Sequence, residues 1–270
     1  MTNISLCILL SLACAATFGA NAAIHTEIVE YRQADTVLEG WLAYDDSLPG
    51  RRPGILLAHQ WKGLTDYEKK RAEMLAKLGY VVLCSDVYGK GVRADNPTDA
   101  AALAGKYKEN RQLLRARIRA GFDTLRSHPK VNPERIAAIG YCFGGTTVLE
   151  LGRSGAALAG IVTFHGGLSS LNQAEGANFR GRVLVLHGAD DPFVTAPEVM
   201  AFEEEMRLGH VDWQLVTYGG AVHSFTDWDA GSDNSRGAAY NEKADRRSWE
   251  AMRTFFAEIF PERRSGAVPQ

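Results

Sequence analysis

A cysteine between two glycines is the feature of this sequence with the clearest chemical meaning. Cys142 stands two residues after Gly140 and two before Gly144, behind an apolar run and ahead of a helix predicted to begin near Thr146. This layout is that of a nucleophile elbow, in which a sharp strand-to-helix turn exposes the nucleophile and glycines relieve the crowding. A helix N-terminus also favours a thiolate. The alternative is a buried cysteine that packs as a small apolar side chain in a glycine-rich turn.

Two further residues of suitable type follow at the ends of later strands. Asp191 comes after the apolar run 182–187, and His223 comes after the run 212–218. An elbow nucleophile needs an acid and then a histidine in this chain order, the acid to orient the histidine and the histidine to move protons. Because the carboxyl ends of parallel strands meet at one edge of an open sheet, we expect Cys142, Asp191 and His223 to converge there. Taken singly, the aspartate is equally a turn residue and the histidine a structural one.

Three segments of the chain resemble the active-site blocks of a known family. Segments 140–145 (GYCFGG), 188–194 (GADDPFV) and 223–225 (HSF) look like those of the dienelactone hydrolases, also called carboxymethylenebutenolidases. The resemblance runs over about residues 24–260, and the cysteine elbow is its specific part because most α/β hydrolases use serine. It implies an α/β-hydrolase fold and the hydrolysis of esters or lactones without a cofactor.

The resemblance also implies roles for individual residues. The family carries its acid before an x-Phe-Val step, which here selects Asp191 over Asp190. In the superfamily, the oxyanion is held by the N–H that follows the nucleophile and by one from the loop after the first parallel strand, which correspond to Phe143 and Trp61. The chemistry implied is attack of Cys142 on a carbonyl, a thioester acyl-enzyme and hydrolysis by water.

Two positions depart from the family's pattern. Gln60 stands where dienelactone hydrolases carry a glutamate that interacts with the thiol, and since glutamine takes no proton, direct pairing of thiol and histidine is the simpler expectation. Asp227 stands near the place of an arginine that binds the substrate carboxylate, and an acid there repels anions. Lys90 and Arg93 are candidates to replace a second substrate arginine. We therefore expect neutral esters and lactones to be preferred to carboxylate-bearing ones.

Aromatic side chains are frequent in the loops expected around the site. We expect them to form an acyl or leaving-group pocket, with core packing as the alternative for each of them. Together with Gln60, the residues predicted to bind substrate are Tyr88, Phe193 and Phe225, and Trp61 and Trp228 lie in the same loops.

Three other histidines and one other cysteine fall at or beside predicted strand ends. His59, His165 and His187 show neither an H-x-x-x-H nor an H-x-H spacing, so we predict no metal site and expect these side chains to brace loops. Cys84 is expected to be a core thiol. The alternative, a disulfide with Cys142, would inactivate the nucleophile.

The elements needed to position these residues follow from the hydrophobic pattern. Segments 24–31 and 37–44 alternate apolar and polar residues and predict an antiparallel hairpin. Beyond them, short apolar runs alternate with helix-like segments, which predicts a mostly parallel sheet with helices on both faces. Segment 97–127 is expected to be helical with breaks. No segment is long enough for a large cap domain, so the site is expected to be open.

Residues 1–22 are predicted to be a signal peptide, followed by one dienelactone-hydrolase-like domain over 23–270. Segment 4–18 is mostly apolar, and the ANA motif at 20–22 fits a signal cleavage site. The usual positive charge before the apolar run is missing, and the alternatives are an uncleaved anchor, an amphipathic segment leading into the domain, or a lipid attached at Cys14. The prediction is a periplasmic or secreted protein without stable membrane insertion after cleavage.

Size and charge favour an enzyme that acts on small molecules. The 270 residues are enough for one such domain with a sizeable core, and a net charge of −2 with interspersed acids and bases gives no reason to expect nucleic acid as a partner. We expect a monomer that hydrolyses small esters or lactones. The alternatives are an acyltransferase or peptidase with the same three residues, or a thiol or ligand-binding protein that kept the fold without turnover.

Overall fold

An eight-stranded sheet forms the centre of the computed structural model, which describes residues 23–261. In chain order the strands are β1 (Ile24–Gln33), β2 (Thr36–Asp45), β3 (Arg52–Ala58), β4 (Val81–Ser85), β5 (Val131–Tyr141), β6 (Gly160–Phe164), β7 (Arg182–Gly188) and β8 (Trp213–Tyr218). They lie in the order β1-β2-β4-β3-β5-β6-β7-β8. The predicted hairpin is β1 and β2, and β2 also pairs antiparallel with β4; all other neighbours are parallel. The predicted signal peptide, residues 1–22, lies outside the described residues, as do residues 262–270.

Helices cover both faces of the sheet, as the alternating segments predicted. In chain order they are α1 (Asp66–Ala76), α2 (Pro97–Glu109), α3 (Arg111–Ser127), α4 (Phe143–Arg153), α5 (Ala196–Leu208) and α6 (Glu242–Ile259), with short 3₁₀ turns at Gln173–Asn178 and Asn234–Arg236. Side chains of α1 and α6 pack on one face, and those of α3, α4 and α5 pack on the other. Between residues 23 and 261, no helix is both long enough and apolar enough to cross a membrane.

The central strand β3 shows how the sheet is covered on both faces. Ile55 and Leu57 pack in the layer of α1 and α6, whereas Leu56 and Ala58 pack in the layer of α3, α4 and α5. All of these side chains are fully buried. Because successive side chains of a strand point to opposite faces, a continuous apolar run is what a doubly covered parallel strand requires.

The connection from β4 to β5 consists of α2 and α3, and within the described residues it contains no separate domain. Asn110 stands between the two helices, and its side chain accepts a hydrogen bond from the N–H of Leu113 (3.0 Å) at the start of α3. Tyr107, in the last turn of α2, is buried and donates to the carbonyl of Tyr88 (3.1 Å). The predicted break in segment 97–127 is this asparagine, and α2 packs beside the carboxyl edge of the sheet.

Helix α4 begins at Phe143, earlier than the start predicted near Thr146. Its first turn contains two glycines, which are weak helix formers, and the sequence therefore pointed to a later start. A Cβ on Gly144 would lie 2.2 Å from the carbonyl oxygen of Ala58 in β3. Glycine is thus required for α4 to approach the sheet this closely, and the tertiary packing overrides the local propensity.

Candidate active site

Cys142 occupies the tight turn between β5 and α4. Its φ of 54° and ψ of −117° lie in a region that residues with a side chain rarely adopt. A Cβ on Gly140 would lie 2.0 Å from the carbonyl oxygen of Gly144, so the turn closes only with glycine at that position. The Cys142 N–H donates to the carbonyl of Phe164 at the end of β6 (3.0 Å). The strained turn therefore holds a half-buried thiol at the N-terminus of α4.

The structure brings together the three residues that the sequence placed at strand ends. His223 Nε2 lies 3.1 Å from Sγ of Cys142, and its Nδ1 lies 2.8 Å from Oδ2 of Asp191. Since a carboxylate only accepts hydrogen bonds, Nδ1 carries a proton and Nε2 faces the sulfur. The other carboxylate oxygen of Asp191 accepts from the N–H groups of Phe193 (2.8 Å) and Val194 (3.3 Å). The carboxylate is thus held by its own loop and aimed at the imidazole.

The charges in this cluster favour a thiolate. Burial raises the pKa of the Cys142 thiol, but His223, Lys108 and the N–H of Phe143 together lower that pKa below its usual value. Burial lowers the pKa of His223, whereas the thiolate and the Asp191 carboxylate raise it to about 10. The two shifts share one cause, because each charge stabilises the other. Both shifts favour the thiolate–imidazolium form of the pair.

The imidazole of His223 is held through its backbone and contacts two neighbouring rings. The His223 N–H donates to the carbonyl of Gly237 (3.1 Å), and its carbonyl accepts from the N–H of Ala239 (3.0 Å). The ring of Phe193, which is 60% exposed, stands perpendicular to the imidazole with centroids 5.4 Å apart. The buried ring of His165 lies 5.2 Å away. These contacts leave the imidazole little freedom to turn away from the sulfur.

A buried polar network behind this imidazole was not predicted from the sequence. The hydroxyl of Thr226 lies 2.8 Å from Nε2 of His165 and 2.7 Å from the hydroxyl of Tyr67. Arg71 donates to that tyrosine (3.2 Å), to the Thr226 carbonyl (2.8 Å) and to Asp245 at the start of α6 (2.6 Å). The network joins α1, the histidine loop and α6. Arg71 lies within α1 and belongs to no recognisable sequence motif. The only member of the network that the sequence indicated was His165, through its position at a strand end.

Of the two backbone N–H groups predicted to bind an oxyanion, that of Phe143 contacts the thiol and that of Trp61 has no acceptor within residues 23–261. Phe143 is the first residue of α4, where an N–H has no partner within the helix, and this N–H helps lower the pKa of Cys142. The side chains of Trp61 and Phe143 pack in one cluster with Cys142. The assignment of these two N–H groups to an oxyanion hole stays a prediction.

The side chain of Gln60 hydrogen-bonds to Asp227 and not to the Cys142 thiol. Its Nε2 donates to Oδ2 of Asp227 (3.2 Å), and its backbone N–H donates to Oε1 of Glu68 (2.9 Å). Glu68 is fully buried, and burial raises the pKa of its carboxyl. Within the described part of the chain no hydrogen bond joins Gln60 to Cys142. The glutamine therefore acts on Asp227, in agreement with direct pairing of the thiol and His223.

The cations proposed from the sequence as carboxylate partners are engaged elsewhere. Lys90 pairs with Glu30 on β1. Arg93 donates its Nε–H to the carbonyl of Leu64 (2.6 Å). Lys108, in the last turn of α2, was not singled out from the sequence, although its exposed ammonium lowers the pKa of Cys142. Lys108 is therefore the lysine whose charge acts on the thiol.

The aromatic residues predicted to bind substrate divide into three kinds. Phe193 is exposed beside the imidazole and keeps its ring available to a substrate. Tyr88 is buried and donates its hydroxyl proton to the carbonyl of Trp61 (2.9 Å), so it holds the loop after β3. Phe225 is 0% exposed and packs against Tyr218, so the expectation that its ring lines an open pocket is wrong. Its position two residues after His223 in the sequence gave no sign that its ring packs in the core.

His59, His165 and the second cysteine have structural contacts, whereas the side chain of His187 makes no hydrogen bond within residues 23–261. His59 and His165 hydrogen-bond to loop atoms, as strand-end polar groups were expected to do. Cys84 is a fully buried core thiol, as predicted, and its Sγ donates to the carbonyl of Glu68 (3.4 Å). Cys84 and Cys142 are both free thiols. Over residues 23–261, no cluster of His, Cys, Asp and Glu side chains has the placement to hold a metal ion.

A mostly parallel sheet with a strained turn after β5, followed by an aspartate after β7 and a histidine after β8, is the arrangement of an α/β hydrolase. The comparison with protein families agrees with this class. The profile of the dienelactone hydrolase family matches residues 38–260, and the chain belongs to that family. It is therefore a hydrolase of esters or lactones, and a small molecule is the substrate that suits such an enzyme.

Proteins of known structure and sequence support the same assignment. The chain is similar to a solved structure named m3DLH, with 42% identity, a TM-score of 0.85 and coverage of 88% of this chain and 99% of the other. It is similar at 40% identity and a TM-score of 0.84 to a dienelactone hydrolase-like promiscuous phosphotriesterase from metagenomic libraries, again over 88% and 99%. A putative carboxymethylenebutenolidase of Synechocystis is 23% identical over 86% of this chain and 96% of its own length.

Proposed function

We propose that Cys142, His223 and Asp191 hydrolyse small esters and lactones through a thioester acyl-enzyme. The observation that supports this most is the contact of His223 Nε2 with the Cys142 sulfur at 3.1 Å while Nδ1 is held by Asp191 at 2.8 Å. A nucleophile, a proton carrier and an orienting acid are then in contact in the order that acyl transfer requires.

The reaction begins from the thiolate–imidazolium pair. The sulfur of Cys142 attacks the carbonyl carbon, and the electron pair of the C=O bond moves to the oxygen, where the N–H groups of Phe143 and Trp61 stabilise the charge. When the tetrahedral intermediate collapses, the C–O bond to the leaving group breaks and His223 Nε2 donates its proton to the departing oxygen. In a lactone that oxygen stays tethered to the acyl group.

Deacylation reverses these roles. Neutral His223 now accepts a proton from water through Nε2 as the water oxygen attacks the thioester carbonyl. The second tetrahedral intermediate expels the sulfur as a thiolate, and the carboxylic acid product leaves. Asp191 keeps the imidazole in the Nδ1–H form throughout, so that Nε2 always faces the reacting atoms. The thiolate–imidazolium pair is then restored.

Esters and lactones suit this site better than peptides. A thiolate leaves a tetrahedral intermediate more readily than an amine that has not been protonated, so with an amide the return to reactants is favoured over formation of the thioester. A second candidate function is the hydrolysis of activated phosphotriesters, which is favoured by the 40% identity to the phosphotriesterase. In such a substrate the phosphorus atom would be attacked by the same sulfur.

A substrate panel tests the proposal. We expect p-nitrophenyl acetate and a neutral lactone ester to be hydrolysed, a peptide amide not to be, and the free-carboxylate form of the same lactone to show a KM roughly fivefold to tenfold higher than its methyl ester. The reason is the carboxylate of Asp227 beside Gln60, whose repulsion acts on binding and weakens with added salt. An enzyme that hydrolyses no ester or lactone contradicts the proposal.

Asp227→Asn provides the matched variant for the charge effect. The amide oxygen of asparagine still accepts from Gln60, while the negative charge is removed. In Asp227→Asn, the KM for the carboxylate substrate is expected to fall toward the KM for the methyl ester. Asp229→Asn, at an exposed neighbour, should leave both values unchanged. A wild-type preference for the carboxylate form, lost in Lys108→Ala, would show instead that Lys108 attracts the anion.

A further inference from the structure

The peptide unit between Gln60 and Trp61 is held firmly at its carbonyl end. The Gln60 oxygen lies 2.6 Å from Nδ1 of His59 and accepts from the N–H of Gly63 at 3.2 Å. A carbonyl oxygen only accepts, so Nδ1 of His59 carries the proton. Its Nε2 accepts from the N–H of Val87 (3.2 Å), which requires the same tautomer. The two contacts agree on one protonation state for His59.

This anchoring fixes the direction of a catalytically important N–H. In a planar trans peptide the C=O and the following N–H point in opposite directions. With the Gln60 oxygen held toward His59, the Trp61 N–H must point in the opposite direction, away from His59. That N–H has no acceptor within residues 23–261, and the side chains of Trp61 and Cys142 both pack against the cluster that contains Phe143. The preceding amide of Gln60 is tied to Glu68, so the loop is anchored on both sides of Gln60.

We propose that His59 is a positioning residue of the oxyanion hole, whose Nδ1–H holds the Gln60–Trp61 peptide so that the Trp61 N–H is aimed at the oxygen of the tetrahedral intermediate. The inference rests on the proposed function, because an oxyanion forms there only if Cys142 attacks a carbonyl. His59 touches no reacting atom. It acts through the peptide unit that it holds.

The surroundings of His59 keep its ring in this role. The side chain is fully buried, and its ring lies 4.6 Å from that of Tyr88 and 6.0 Å from that of Phe143, the other oxyanion residue. Burial lowers the pKa of His59 to about 4 against the opposing effect of Asp86. The imidazole is therefore neutral at neutral pH, with one donor for the Gln60 carbonyl and one acceptor for the Val87 amide.

Two substitutions separate positioning of the peptide from packing. In His59→Asn the amide nitrogen takes the place of Nδ1 and still donates to the Gln60 oxygen. In His59→Leu the volume is largely kept and the donor is lost. Both variants lose the acceptor for Val87. We expect His59→Leu to lower kcat for p-nitrophenyl acetate roughly tenfold to a hundredfold with little change in KM, and His59→Asn to stay within about threefold of wild type.

The rate of alkylation of Cys142 by iodoacetamide separates the two roles of His59. If His59 merely supported the structure around the thiol, this rate would fall in the variants. Displacement at a saturated carbon forms no oxyanion, so this rate and its pH dependence should be the same in wild type and both variants. Equal losses of kcat in both variants, or alkylation that falls in step with hydrolysis, overturn the inference. If His59→Leu does not fold, His59→Asn decides: a loss of a hundredfold would overturn it. Failure of the proposed function shows separately, as unchanged hydrolysis in Cys142→Ala.

Discussion

Replacement of Cys142 with alanine is expected to reduce kcat for p-nitrophenyl acetate by about 10⁴-fold or more, with the fold intact. The strained turn presents this sulfur to His223, and the alanine variant has no nucleophile at that point. The alanine variant also loses little packing, because Cys142 is only half-buried. Initial rates at saturating substrate, together with a thermal unfolding curve for each protein, provide the measurement.

Cys84 offers the matched control for the nucleophile. It is fully buried, and burial raises its pKa well above that of an ordinary thiol, so iodoacetamide should label Cys142 and leave Cys84 unmodified. Cys84→Ala is expected to retain wild-type kcat after any loss of stability from the small cavity is allowed for. Equal labelling of both thiols, or near-normal hydrolysis by Cys142→Ala, would show that another residue is the nucleophile.

Asp191→Asn is expected to lower kcat by about 10³-fold to 10⁴-fold. The asparagine oxygen can keep the hydrogen bonds from Phe193 and Val194, but its NH₂ group then faces Nδ1 of His223. Nδ1 must accept from this NH₂, which moves the ring proton to Nε2. A neutral imidazole of that tautomer cannot take a proton from water. The loss should therefore appear in kcat while KM changes little.

The neighbouring acid tests whether the correct aspartate has been assigned. Asp190 is exposed and its side chain makes no hydrogen bond among the described residues, so Asp190→Asn should stay within about twofold of wild type. The two variants carry the same chemical change one residue apart. A larger loss of kcat in Asp190→Asn than in Asp191→Asn would mean that the acid was assigned to the wrong position.

Much of the site followed from local sequence rules because the fold converts chain order into position. A glycine-flanked cysteine after an apolar run fixes a strand-to-helix turn, and parallel strands bring their carboxyl ends to one edge. Cys142 and His223 could therefore be assigned from chain order, whereas the choice of Asp191 over Asp190 came from the family resemblance. The sheet was equally predictable, since β3 to β7 are short apolar runs separated by helix-like segments.

The contacts that the sequence did not give are those between side chains distant in the chain. Arg71 meets Thr226 and Asp245 only because α1 and α6 pack on the same face of the sheet. Phe225 was expected to face substrate because it follows the histidine closely, yet the backbone turns at Ser224, whose φ is 57°, and the ring enters the core. Neither a change of direction at one residue nor the partner of a buried arginine is encoded in a local pattern.

The measurement that tests the central claim most directly is acid-quench mass spectrometry of the wild-type enzyme during its first turnover of p-nitrophenyl acetate. The thioester mechanism predicts one acetyl group on the peptide that contains Cys142, removed by hydroxylamine at neutral pH and absent from Cys142→Ala. Acetyl transfer to a different residue, or rapid release of p-nitrophenol with no acylated Cys142 at any quench time, would contradict it.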